Sequence, residues 1–141
     1  MEKKKVFLDS NIVFSLVYTN DPFKKINLFL FLQKENYINL YISKFVAKEV
    51  YTNIQKKIKT KLEKFESLLL EFRILEDVET FLDEIKLIKL PDNDKLILNS
   101  AISHKMDYFI TGNSKDFNLL YGNYFNGCLV LKPNAFLELK F

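Results

Sequence analysis

Cysteine and histidine each occur once in this chain, and glycine and proline only three times each. The lone Cys128 excludes an internal disulfide and a zinc site built from several cysteines. The lone His104 leaves a Ser-His-Asp triad one candidate base. So little glycine and proline argues against long flexible linkers. Long apolar runs are missing as well. Leu28-Phe29-Leu30-Phe31-Leu32 is bounded by Lys24, Lys25, Gln33 and Lys34, far short of the roughly 20 residues a membrane span needs. The basic start, Met1-Glu2-Lys3-Lys4-Lys5, is followed by only Val6-Phe7-Leu8 before an acid, too short for the apolar region of a signal peptide. These absences lead us to expect a soluble, cytoplasmic protein with no membrane partner.

What is present is mostly apolar and basic. The 141 residues are 48% hydrophobic, with 14 Phe and 7 Tyr, which predicts one domain spanning 1–141 with a substantial core and no disorder. The net charge is +3, and Arg73 is the only arginine, so lysine carries the positive charge. A mild basic excess is compatible with a polyanionic partner. An AT-rich coding sequence would enrich lysine equally well.

Strand-like and helix-like segments alternate along the chain. Lys5–Leu8, Leu40–Ile42, Arg73–Leu75, Tyr108–Thr111 and Leu129–Leu131 read as short strands, the last ended by Pro133. A helix is expected to begin within Asn11–Tyr18. Another should start at Asp21-Pro22, with proline in the first helical position, and carry Ile26, Phe29, Leu30 and Gln33 on one face. Ser43 reads as the cap of a helix through Ile58, followed by one from about Lys61 to Glu71. Val78–Leu90 is ambiguous between a short helix and a linker. Pro91-Asp92-Asn93-Asp94 opens a helix to about Lys105, and Phe117–Tyr121 predicts a short helical turn. The pattern predicts an α/β fold, a parallel sheet covered by helices, in which ligands collect beyond the carboxyl ends of the strands.

Two of the strand-like runs end in acids. Asp9 follows Val6-Phe7-Leu8, and Asp116 closes the loop Thr111-Gly112-Asn113-Ser114-Lys115-Asp116 after Tyr108-Phe109-Ile110. Asp9 is equally readable as a helix cap, and so is Asp116. Glu49 falls at the border of the apolar face of its helix, where a solvated acid near Lys48 is the ordinary reading. Asp94 is more pointed. Asp94, Ile97, Leu98 and Ala101 share one face at spacing i, i+3, i+4, i+7, so the acid faces the way its helix packs. Capping by Asp92 or Asn93 would leave Asp94 free for another role. Thr111 and Asn113 lie close enough to the strand end to bind a ligand or orient water. If the carboxylates converge, each raises the pKa of the others unless a cation cancels their charge. Mg²⁺ or Mn²⁺ prefers such oxygen donors and can activate water against a phosphodiester.

Four segments carry a family likeness: Phe7-Leu8-Asp9-Ser10-Asn11-Ile12-Val13, Ile42-Ser43 followed by Glu49, Asp94-Lys95-Leu96-Ile97-Leu98-Asn99-Ser100-Ala101, and Asp107 through Phe117. In their order and separations the chain resembles the PIN-domain family of metal-dependent ribonucleases, especially the VapC-like toxins of toxin–antitoxin pairs. The resemblance implies a three-layer α/β/α sandwich, endonucleolytic cleavage of RNA, a Mg²⁺ or Mn²⁺ cofactor and frequent homodimers. It implies that Asp9, Glu49, Asp94 and Asp116 bind the metal or activate the attacking water, with Ser10 and Thr111 positioning ligand or water. A toxin would also have a small antitoxin partner. The chain departs from the family at Asn113, where many relatives carry Asp; Asp116 is placed to compensate.

Lys56, Lys57 and Lys59 belong to the densest basic stretch and are candidate nucleic-acid contacts, although lysines alternating with Ile58 and Leu62 also describe the solvated side of an amphipathic helix. A phosphatase of the haloacid dehalogenase type would want a second Asp where Asn11 stands. A receiver-like domain fits Glu49 and Asp94 poorly. A catalytically silent, protein-binding domain of the same fold is the remaining alternative.

Overall fold

Short apolar strands and amphipathic helices alternate through the computed structural model, which describes residues 2–141. In chain order the elements are β1 (Lys4–Leu8), α1 (Ser10–Tyr18), α2 (Leu28–Lys34), β2 (Ile38–Ser43), α3 (Lys44–Lys57), α4 (Leu62–Leu69) and β3 (Arg73–Leu75). Then come α5 (Asp83–Lys86), α6 (Asp92–Ser103), β4 (Tyr108–Ile110), α7 (Ser114–Phe117), β5 (Tyr124–Phe125), β6 (Cys128–Leu131) and α8 (Pro133–Leu137). The strands form one six-stranded sheet in the order β3-β2-β1-β4-β6-β5, parallel throughout except for the β5–β6 pair.

The expected parallel sheet is therefore present, with helices on both faces. Val6, Phe7 and Leu8 of β1 and Phe109 and Ile110 of β4 are completely buried. That is why these strands read as unbroken apolar runs rather than alternating ones. Phe7 and Phe109 stack with ring centroids 5.6 Å apart across the β1–β4 seam. β1, β2 and β3 step toward one sheet edge, while β4 and β6 lie on the other side of β1. The strand order thus reverses between β1 and β4, and a crevice opens there beyond the strand ends. No helix among the described residues is long and apolar enough to cross a membrane.

Several local expectations need correction. Asp21-Pro22 does not begin a helix. Asp21 instead accepts from the Phe23 amide in a turn, and the chain passes through a 3₁₀ turn at Lys25–Asn27 before α2. The predicted helical turn at Phe117–Tyr121 is displaced to Ser114–Phe117, because Asn113 caps it by accepting from the Asp116 amide at 3.3 Å. Asp116 is thus inside this helix and does not cap one. α6 starts without a side-chain cap, so neither Asp92 nor Asn93 serves as one. The β5 strand was missed. It folds back through Asn126 and Gly127, whose φ of 49° and 85° suit a two-residue hairpin turn. Pro133 ends β6 and also starts α8.

Candidate functional site

Asp9 leaves the end of β1 with its amide bonded to the Ile110 carbonyl at 2.9 Å, so the β1–β4 pairing fixes its backbone. Its extended backbone makes it the N-cap of α1, and one carboxylate oxygen accepts from the Ser10 amide at 2.8 Å. The capping and functional readings of this acid are therefore compatible. The other oxygen accepts from the Thr111 hydroxyl at 2.7 Å and from the Asn11 amide at 3.1 Å. Asp9 is 2% exposed. Burial pushes its pKa up to about 6, against the bonds from Thr111, Ser10 and Asn11 that favour the charged form, while Glu49 adds repulsion.

Asn11 was not singled out from the sequence, yet it ties the two strand ends together. Its side-chain NH₂ donates to Asp9 and, at 3.2 Å, to the Thr111 hydroxyl, while its carbonyl accepts from the Gly112 amide at 2.7 Å. A Cβ at Gly112 would stand 3.2 Å from that carbonyl oxygen, so glycine permits the close approach. The available signal was the Asp-Ser-Asn order just after a buried strand: an amide can donate and accept at once, which such a bridge requires.

Glu49 projects from α3, which Ser43 begins by accepting from the Val46 amide. The Ser10 hydroxyl donates to Glu49, joining α1 to α3. Asp94 stands in the first turn of α6 and is half-buried, whereas Asp92 is exposed. Burial and repulsion from Asp9, Asp116 and Glu49, with a carboxyl–carboxyl hydrogen bond to Asp116, raise the Asp94 pKa to about 7. Asn113 turns Asp116 by donating from its NH₂ at 2.9 Å.

One cleft of about 570 Å³ takes in Asp9, Ser10, Asn11, Glu49, Asp94 and Asn113, with Phe14, Ser15, Asn53 and Lys57 along its walls. Asp116 adjoins it through Asp94 and Asn113. Thr111 is fully buried behind Asp9. Lys57 lines the cleft; Lys56 and Lys59 are exposed but do not. Farther along the basic stretch, Lys61 donates to Asn20 and Lys64 to the Thr19 carbonyl, tying down the loop after α1.

Asp94 and Asp116 meet, and Asp9 and Glu49 face the same space. Among the described residues no three Asp, Glu, His or Cys side chains are already drawn together as an ion cage. Burial first, and repulsion from Asp9, Asp116 and Glu49 second, hold Asp94 near 7. The donor set is oxygen from carboxylates, hydroxyl and amide, the chemistry of a hard divalent cation. The residues present fit such an ion.

Comparison with known proteins agrees with this architecture. No curated protein sequence matches the chain. Among solved structures, VapBC2 of Rickettsia felis, bound to a DNA fragment from its promoter, superposes with a TM-score of 0.70 at 19% identity, covering 91% of this chain and 98% of that one. A toxin–antitoxin complex from Klebsiella pneumoniae gives 0.65 at 22% identity, covering 91% and 97%. VapC20 of Mycobacterium tuberculosis, described as a toxin that cleaves the sarcin–ricin loop, gives 0.54 at 10% identity, covering 74% and 86%. At these identities the likeness is one of fold. The sequence itself matches the family profile described as PIN domain over residues 6–122, from β1 past α7, and the chain belongs to the PIN domain family.

Proposed function

We propose that this protein is a metal-dependent endoribonuclease that hydrolyses RNA phosphodiester bonds and acts as the toxin of a toxin–antitoxin pair. One observation carries the reading. Asp9, Glu49, Asp94 and Asp116, contributed by four separate segments, gather at the sheet's switch point, where burial first and repulsion from the other three second raise the Asp94 pKa to about 7. Such crowding destabilises a fold unless a cation relieves it. The structural neighbours described as a toxin–antitoxin complex and as a sarcin–ricin loop cleaving toxin support the same conclusion.

Mg²⁺ or Mn²⁺ is the proposed ion, because every donor is oxygen and the chain has too few histidines and cysteines for a softer one. When bound, it supplies charge neutralisation at the scissile phosphate and makes water more acidic. The four carboxylates would hold it or take the proton of the attacking water. Thr111 and Asn11 keep Asp9 in one orientation, Ser10 does so for Glu49, and Asn113 for Asp116. These bonds fix the acids before substrate arrives, so little reorganisation is needed at the moment of reaction. Asn113 therefore keeps a positioning role without the charge that Asp would bring.

A small antitoxin is the proposed partner, and a homodimer the proposed assembly. The exposed Phe23 and Phe31, beside and within α2, supply apolar surface for either contact. The compartment we propose is the cytoplasm, where an RNA substrate would be met. The test compares the protein with Asp9→Asn and Asp94→Asn on single-stranded and structured RNA. Cleavage should require Mg²⁺ or Mn²⁺, stop with chelator, and fall at least about 100-fold in each variant. Cleavage that survives both substitutions, or ignores chelator, rejects the proposal.

A further inference from the structure

Two helices of the cleft carry side chains in step. On α1, Ser10, Phe14 and Tyr18 recur at i, i+4 and i+8; on α3, Glu49, Asn53 and Lys57 do the same. The first rungs are joined by the Ser10–Glu49 hydrogen bond. Both helices follow neighbouring parallel strands and pack against each other, so they leave the acids in a common direction. Each rung lies about 6 Å farther out than the last. Phe14, Asn53 and Lys57 line the same cleft as Asp9 and Asp94. Tyr18 lies just beyond, 53% exposed, its ring centroid 5.4 Å from that of Phe14. The ion pairs among the described residues are Lys44–Glu76 and Lys86–Asp83, which leaves Lys57 without an acidic partner.

Building on the nuclease reading, we infer that this groove is a subsite for one unpaired nucleotide beside the scissile phosphate of single-stranded RNA. The base stacks on Phe14, its edge meets the Asn53 amide, and the next phosphate meets Lys57. A half-buried aromatic face offers stacking to any base, but only to one that is not already stacked in a duplex. An amide can donate and accept at a base edge. A lysine at the far end draws the backbone past carboxylates that would otherwise repel it. A partner-protein helix would want a run of apolar side chains in the groove. Here Phe14 shares the cleft with Ser15, Asn53 and Lys57, and the exposed Phe23 and Phe31 are not among its lining residues.

The test uses the full chain carrying Asp94→Asn, which prevents cleavage, and a fluorescein-labelled single-stranded RNA octamer read by anisotropy. Adding Phe14→Leu should weaken binding about tenfold, and Phe14→Tyr should restore it. Asn53→Ala should weaken binding severalfold. Lys57→Gln should lower the salt slope of log Kd by about one. An octamer with one abasic position should bind the parent and Phe14→Leu equally. Asn53→Ala and Lys57→Gln remove no buried apolar contact, so they keep the test decisive should Phe14→Leu fail to fold. Variants that all match the parent in affinity, in a protein whose wild type cleaves RNA, overturn the subsite alone. Variants that lose a partner protein while keeping RNA affinity also overturn it. A wild type that fails to bind the octamer overturns the subsite, and one that with Mn²⁺ cleaves neither the octamer nor structured RNA overturns the nuclease reading as well.

Discussion

Asp94 and Asp9 are destabilising where they stand. Each carboxyl is raised from 3.8, to about 7 and about 6 respectively, first by burial and then by like charge. Asp94→Asn should therefore raise the melting temperature of the metal-free protein at pH 7.5 while abolishing cleavage, a trade of stability against activity. Because Asp94 is only half-buried, solvent screening limits the gain to about 1 kcal/mol. Differential scanning fluorimetry with chelator present reads it; an unchanged or lower melting temperature would mean that the acids do not repel one another. Thr111 gives Asp9 its shortest hydrogen bond. Thr111→Val should raise the Asp9 pKa further and cost about 1–3 kcal/mol. The expected result is weaker Mn²⁺ binding by calorimetry, and affinity equal to wild type would deny Thr111 a positioning role.

At the scale of elements, α6 holds the irregular segment before it as well as the acid at its start. Buried Asn99 donates to the Val78 and Thr80 carbonyls and accepts from the Leu82 amide, and Ser100 accepts from the Val78 amide. Asn99→Ala would strand three backbone groups, costing about 2–4 kcal/mol in chemical denaturation. Hydrogen exchange should rise in Val78–Leu82 and leave β1 protected. The ambiguity of Val78–Leu90 in the sequence has this physical origin: the segment is held by another helix, so no local periodicity marks it. Other elements were locally encoded. Ser43 caps α3 as its sequence suggests, and Ser43→Ala should cost about 1 kcal/mol. The β5–β6 hairpin was encoded too, in Asn126-Gly127, but two residues make too short a strand for apolar alternation to declare. The helix misplaced to Phe117–Tyr121 turned on Asn113, whose amide could equally serve the metal or the backbone; as the cap, it draws the turn back to Ser114–Phe117.

For the molecule as a whole, the two raised carboxyls set the expected response to pH. Between about 4 and 7 the folded chain binds protons that the unfolded chain has released, so metal-free stability is highest at the acid end and declines as pH rises through 6 and 7. The buried Asp9 accounts for about 3 kcal/mol of that decline at most. A divalent ion must reverse the trend, because it competes with those protons for the same oxygens. The rise in melting temperature on adding Mn²⁺ should grow from pH 5.5 to 8 and reach the equivalent of about 2.7 kcal/mol when the ion is at 100 times its Kd. A shift independent of pH would place the ion elsewhere.

The sequence by itself determined the alternation of buried strands with amphipathic helices, and with it the parallel sheet. It also determined which acids stand at the ends of β1 and in the first turn of α6. Those are local properties, written in apolar runs and in a spacing of three and four residues. Only the tertiary structure decided that Asp94 lies beside Asp116 and near Asp9, that Asn11 bridges to Gly112 across 101 positions, and that Phe14, Asn53 and Lys57 share one cleft with the acids. Strand order does this work: β1 and β4 become neighbours through a crossover, and no periodicity within either segment records which strand will lie beside it.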